Sequence, residues 1–256
     1  MTWSDSDVED SRDARDPEEL FPRKKPTWGF IDGLALIGVY ILTNIIMVLV
    51  GALVSGKNST LFFAFPLAGA PLLTLLLAYV AIRVRTPSEV SVASLLGFRI
   101  PGIRKALSAI PLAICGGFGL IGVMLAQNAL LQLIGLDPQS IPEQPVTELL
   151  RKDPSMELAV TMTFFAVVVA PFTEEILFRS ALYVPLRSKT GPIVACFVCS
   201  AIFAVVHWYV WGMLYLFAVG LLLVALAETS RSLLPSIAVH ALHNGVVIAA
   251  IFAGIN

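Results

Sequence analysis

Charge is scarce in this 256-residue sequence: only 14% of its residues are Asp, Glu, Lys or Arg, while 57% are hydrophobic. A soluble domain carries charge on about a quarter of its residues, so a mean hydropathy of +0.84 excludes a single core inside a water-facing surface. The missing charges leave long gaps. Uncharged stretches of 24, 25 and 31 residues follow Asp32, Lys57 and Lys105, each longer than the ~20 apolar residues that cross a bilayer. Cysteine is equally sparse. Cys115, Cys196 and Cys199 all fall in apolar runs without metal-binding spacing, so they read as small hydrophobes and not as a disulfide or redox pair. With a net charge of -1 and basic residues in short clusters between apolar runs, there is no basic face for nucleic acid. The opening residues lack the charged, apolar, then small order of a cleaved signal peptide.

What remains is apolar and periodic enough to predict an all-α, polytopic transmembrane bundle of seven to eight helices around a buried polar site. Spans are expected at 30–54, 60–82, 106–134, 157–186, 191–209, 212–228 and 233–254. A disordered cytoplasmic tail is expected over 1–29, N-terminal transmembrane helices over 30–134, an outside loop over 135–156 and a C-terminal transmembrane core over 157–256. The uncharged stretch from Thr190 to Ala227, 38 residues long, is too long for one crossing. The segment Trp208-Tyr209-Val210-Trp211-Gly212 supplies aromatics and a glycine for an interfacial turn within it. With the N-terminus inside, 13 basic residues fall in inside segments and 3 in outside ones, which favours a cytoplasmic N-terminus by the positive-inside rule. The 83–105 segment reads as an amphipathic linker at the cytoplasmic surface.

Against this background a few polar residues stand out. An acid or base in hydrocarbon costs roughly 2.5 to 3.5 kcal/mol even on insertion scales, yet Glu174, Glu175 and Arg179 interrupt an apolar run. On a helix Glu175 and Arg179 face one another and can pair, while Glu174 projects about 100° away and is left for chemistry. Pro171 removes an amide and frees a carbonyl one turn before it. The only three histidines, His207, His240 and His243, all lie in C-terminal apolar runs. Phe203 stands four before His207, and His240 four before Asn244, so each pair shares a helix face. His243 points elsewhere. A structural ion pair with core histidines is the plainer reading of each motif taken alone.

Taken in order, Glu174-Glu175-x-x-x-Arg179, Phe203-x-x-x-His207 and His240-x-x-x-Asn244 resemble the three signature motifs of the CPBP family, the CAAX proteases and bacteriocin-processing enzymes, also called the Abi domain. The resemblance covers about 170–250 and is similar to type II CAAX prenyl endopeptidases. It implies an intramembrane peptide hydrolase whose catalytic core is 157–256. Glu174 and His207 would activate water, and His240 with Asn244 would stabilise the oxyanion or orient that water. Glu175, Arg179 and Phe203 would support the site. A desolvated carboxylate makes a competent general base, and preorganised donors act most strongly in a dry site. No cofactor is expected. Zinc on Glu174, His207 and His240 is the alternative, though there is no His-Glu-x-x-His helix and asparagine is a poor zinc ligand.

The expected partners are the lipid bilayer and a membrane-associated peptide or protein substrate, with no nucleic acid, in a multi-pass protein of the cell membrane. Two further readings compete: an ion- or proton-coupled transporter, disfavoured by the lack of an inverted repeat, and a non-catalytic scaffold or immunity protein. Counted from the cytoplasmic ends at ~1.5 Å per residue, Glu174 lies about 18 Å deep, His240 about 11 Å and His207 about 24 Å. A tilted fifth span or a re-entrant turn near 208–212 is needed to bring them level.

Overall fold

A computed structural model describes residues 28–55, 68–85, 91–152 and 155–254. The expected tail, save its last two residues, and the start of the expected second span lie outside the described residues. Among the described residues the fold is all-α, without strands. Eight helices follow in chain order: α1 (Phe30–Ser55), α2 (Ala70–Arg85), α3 (Ile103–Leu133), α4 (Pro145–Lys152), α5 (Met156–Thr190), α6 (Pro192–Val206), α7 (Met213–Ser230) and α8 (Leu233–Phe252). Among them α1, α3, α5, α7 and α8 are long and apolar enough to cross a membrane, while α6 is a shorter apolar helix. The protein is an integral, multi-pass helical bundle.

The proline-rich 135–156 stretch, expected as an outside loop, contains a short helix. Pro145 opens α4, because a proline at the first helical position gives up only an N–H that the helix would leave free anyway. Leu150 of α4 is buried against Leu158 and Met162 of α5. The 83–105 linker also does more than lie on a surface. Its Leu96 carbonyl accepts from Ser180 Oγ (2.6 Å), its Gly97 carbonyl from the Leu233 amide (3.1 Å) and its Arg99 carbonyl from Ser232 Oγ (2.5 Å). Three polar groups near helix ends are thereby satisfied without water.

The core joins α5, α6 and α7 through Leu177, Phe178, Leu182, Cys199, Phe203, Leu223 and Leu226, all buried. Gly220 of α7 faces Ser200 of α6 so closely that an added Cβ would stand 3.0 Å from the Ser200 backbone. Gly33 of α1 meets the Ala181 carbonyl in the same way, a close approach of helices that a small residue allows. The three cysteines are free thiols. Elsewhere the helices turn apolar side chains outward: Ile110, Ile114, Phe118 and Ile121 of α3 are more than half exposed, as hydrocarbon-facing residues should be.

Two junctions set the position of the site. Gly191, with φ of +83°, reverses the chain between α5 and α6, a backbone shape open to glycine. At the other end α6 stops at Val206, and Trp208 takes φ of +53° before a short 3-10 turn at Val210–Gly212. This is the expected turn around 208–212, and it leaves His207 at the helix terminus.

Candidate active site

Helix α5 is not a uniform α-helix: 165–169 and 176–183 are π-helical, and the two glutamates lie between those segments. Such turns are rare and recur at functional sites. The first one follows from Pro171. The Ala170 amide reaches back five residues to the Phe165 carbonyl, and Pro171 has no N–H to give the Ala166 carbonyl. Asn244 of α8 fills that vacancy, donating from Nδ2 to Ala166 O at 2.8 Å. The carbonyl freed by the proline is thus the anchor that ties α8 to α5.

Glu175 is fully buried and has partners on both oxygens. Arg179 Nε stands 3.2 Å from Oε2, to which Ser236 Oγ also donates, and His240 Nδ1 lies 3.0 Å from Oε1. The Arg179 guanidinium, itself buried, donates from Nη2 to Gly220 O at 3.3 Å and lies 4.9 Å from the centre of the Phe203 ring, a cation–π contact. Phe203 also packs on His207, with ring centres 4.5 Å apart, and edge-on to His240 at 6.0 Å. Its carbonyl accepts from His207 Nδ1 at 2.6 Å. One phenylalanine therefore sits among the arginine and both histidines.

These bonds decide the tautomers. A carbonyl only accepts, so His207 Nδ1 carries a hydrogen; a carboxylate held by an arginine also accepts, so His240 Nδ1 carries one too. In the neutral rings both Nε2 atoms are then bare lone pairs. Each stands 3.8 Å from Glu174 Oε2, and that oxygen is buried without a hydrogen-bond partner among the described residues. Three acceptors face one another with no donor between them, an arrangement that asks for a proton or a small hydrogen-bond donor such as water. Both histidines and a carboxylate are also the donor types that zinc takes, but among the described residues no three His, Cys, Asp or Glu side chains are placed to hold a metal ion.

Glu174 and His207 open onto a cavity of about 610 Å³. Its opposite wall is the 37, 40, 41, 44, 45, 48 stripe of α1, apolar except for Tyr40 and Asn44, and Trp208 closes one side. A mostly apolar cleft with a few convergent polar groups is the usual form of a ligand site. Residues 156–246 match the model of a protein family described as type II CAAX prenyl endopeptidase Rce1-like. The resemblance read from the motifs holds over this segment. No curated protein and no solved structure matches the chain.

Every expected residue of the CAAX-protease-like motifs finds a place. Glu174, His207 and His240 converge, Glu175, Arg179 and Phe203 stand behind them, and Asn244 lies one helical turn along α8. Four participants went unseen in the sequence. Ser236 stands four residues before His240, a spacing that signals a shared face. Tyr40 and Asn44, also four apart, line the cavity from a helix far from the motifs, and Tyr215, eight residues after His207, bonds His243 Nε2 at 2.8 Å.

Proposed function

We propose that this protein is an intramembrane endopeptidase that hydrolyses a peptide bond of a membrane-associated peptide or protein, in the manner of the CAAX proteases, without a metal. The carrying observation is Glu174 Oε2, buried without a donor between two imidazole nitrogens. A water there gives one hydrogen to Glu174 and the other to His207 Nε2. Glu174 takes the first as general base while the water oxygen attacks the scissile carbonyl, forming the C–O bond. His240, its Nδ1 donating to Glu175, orients that water from its Nε2 side, and the second N–H that Asn244 keeps after its bond to Ala166 serves the developing oxyanion. Collapse breaks the C–N bond, and the proton on Glu174 goes to the leaving amine.

The cavity beside Glu174 supports a membrane-associated substrate, because its wall is an apolar face of α1 and not a polar cleft. The basic-residue bias supports a cytoplasmic N-terminus in a cell membrane. The test is cleavage of a panel of membrane-bound peptides by the purified protein in lipid, comparing wild type with Glu174→Gln and His207→Ala, with and without a chelator. Cleavage by wild type, lost in both folded variants and indifferent to chelation, is the expected result. Chelator-sensitive cleavage would transfer the water to a metal held by Glu174, His207 and His240. Equal behaviour of wild type and variants would leave a scaffold or a transporter.

A further inference from the structure

His243 takes no part in the motifs, yet it sits in a hydrogen-bonded chain whose directions are fixed from one end. The Ala166 carbonyl can only accept, so the Asn244 group facing it at 2.8 Å is the NH2. The carboxamide oxygen must then face the other way, toward His243 Nδ1 at 3.1 Å. Oxygen also only accepts, so His243 Nδ1 carries the hydrogen, and in the neutral ring Nε2 accepts from the Tyr215 hydroxyl at 2.8 Å. The chain runs Tyr215 to His243 to Asn244 to Ala166, and each link leaves the next a single orientation. The phenol and imidazole rings are also in contact, with centres 5.8 Å apart. Tyr215 comes from α7 and Ala166 from the π-helical part of α5, so the carboxamide is gripped from two neighbouring helices.

We propose that the Tyr215–His243 pair is the positioning device for Asn244, locking its carboxamide so that the free N–H is presented to the reaction. Without it the side chain has a competing choice. A flipped amide would put its oxygen against the Ala166 oxygen, and a rotated one would leave that carbonyl, which Pro171 has deprived of its helix partner, without a donor. Neither His243 nor Tyr215 touches Glu174 or His207 in this chain of bonds; they act through Asn244. The inference rests on the protease reading, since it assigns these residues a part in that reaction.

The test is a double-mutant cycle on peptide cleavage in lipid, with Glu174→Gln as the control for the reaction itself. His243→Leu should lower kcat about 10-fold with KM unchanged, as expected of a group acting in the transition state. His243→Asn, whose amide can still donate to Asn244, should recover part of the loss, and Tyr215→Phe should lower kcat about 3-fold. In an Asn244→Ala background His243→Leu should cost nothing more. Equal losses in both backgrounds, or a loss confined to KM, would overturn the proposal. Should His243→Leu fail to fold, Tyr215→Phe decides alone, since it removes one oxygen and keeps the ring: an unchanged kcat would overturn the proposal. A wild type that cleaves while Glu174→Gln also cleaves would refute the assigned base, and the cycle would still report the coupling.

Discussion

On one side of α5 a carboxylate has partners on both oxygens, and on the other side its sequence neighbour has a buried oxygen with no hydrogen-bond partner among the described residues. Glu175 is enclosed with Arg179, Ser236 and His240. Glu174 faces two imidazole nitrogens that offer lone pairs and a cavity whose α1 wall is apolar except for Tyr40 and Asn44. Both groups lie in a segment where charge is expensive, so the difference is one of design. The satisfied network ties α5 to α7 and α8, and in the proposed reaction the unsatisfied oxygen is the one left for a ligand. The two are joined by His240, whose Nδ1 belongs to the first and whose Nε2 belongs to the second.

Substitutions on the two sides should therefore fail in different ways. The largest effect is expected at Glu174. Glu174→Gln keeps the shape and removes the base, so cleavage should fall about 10³-fold while thermal unfolding in lipid or detergent is unchanged. A variant that melts early would mean that Glu174 is part of the scaffold and would erase the distinction. Glu175→Ala should show the converse. Removing one partner of a buried pair leaves the Arg179 guanidinium uncompensated, at a cost of about 3 to 5 kcal/mol, so the unfolding midpoint should drop and activity should vanish with the fold. Loss of cleavage without loss of stability would move Glu175 across the divide.

His207→Ala is expected to sit between these two in kind and below them in size. Among the described residues its Nδ1 bonds to the carbonyl of Phe203 in the last turn of α6, so stability should change little, and kcat should fall about 100-fold. The sequence carried enough to anticipate this asymmetry in part. Glu175 and Arg179 stand four apart on one helix, and that spacing alone assigns the pair and leaves Glu174 over. Spacing does not reveal that Glu175 also holds His240 and Ser236 from α8, because those contacts depend on how two distant helices cross. The same limit hid Tyr215 as the partner of His243. Pro171 announced a freed carbonyl, but only the packing of α8 shows that it is Ala166 and that Asn244 takes it. The disparity in depth between His207 and Glu174 came from ending the fourth span at 186: α5 runs on to Thr190 and α6 starts at Pro192, so the two residues stand almost equally far from the Gly191 turn. The helix at Pro145–Lys152 escaped because four prolines nearby suggested loop, although a proline at the first helical position starts a helix as readily as it ends one.

The smallest effect should come from the cavity wall, where neither network is touched. Ile45 belongs to the stripe of α1 that faces Glu174 and His207 across about 610 Å³, and it carries no hydrogen bond that the chemistry uses. Filling that space with Ile45→Trp leaves the base, both histidines and the Glu175 network in place. A substrate lying along α1 would lose room but not reactivity, so KM should rise by about 10-fold or less with kcat nearly constant, since a bulky group in a binding pocket removes ground-state and transition-state binding alike. The comparison is sharpened by the split between the two constants. A fall in kcat at constant KM would show that α1 shapes the reacting geometry, and the division would then lie across the cavity and not across α5.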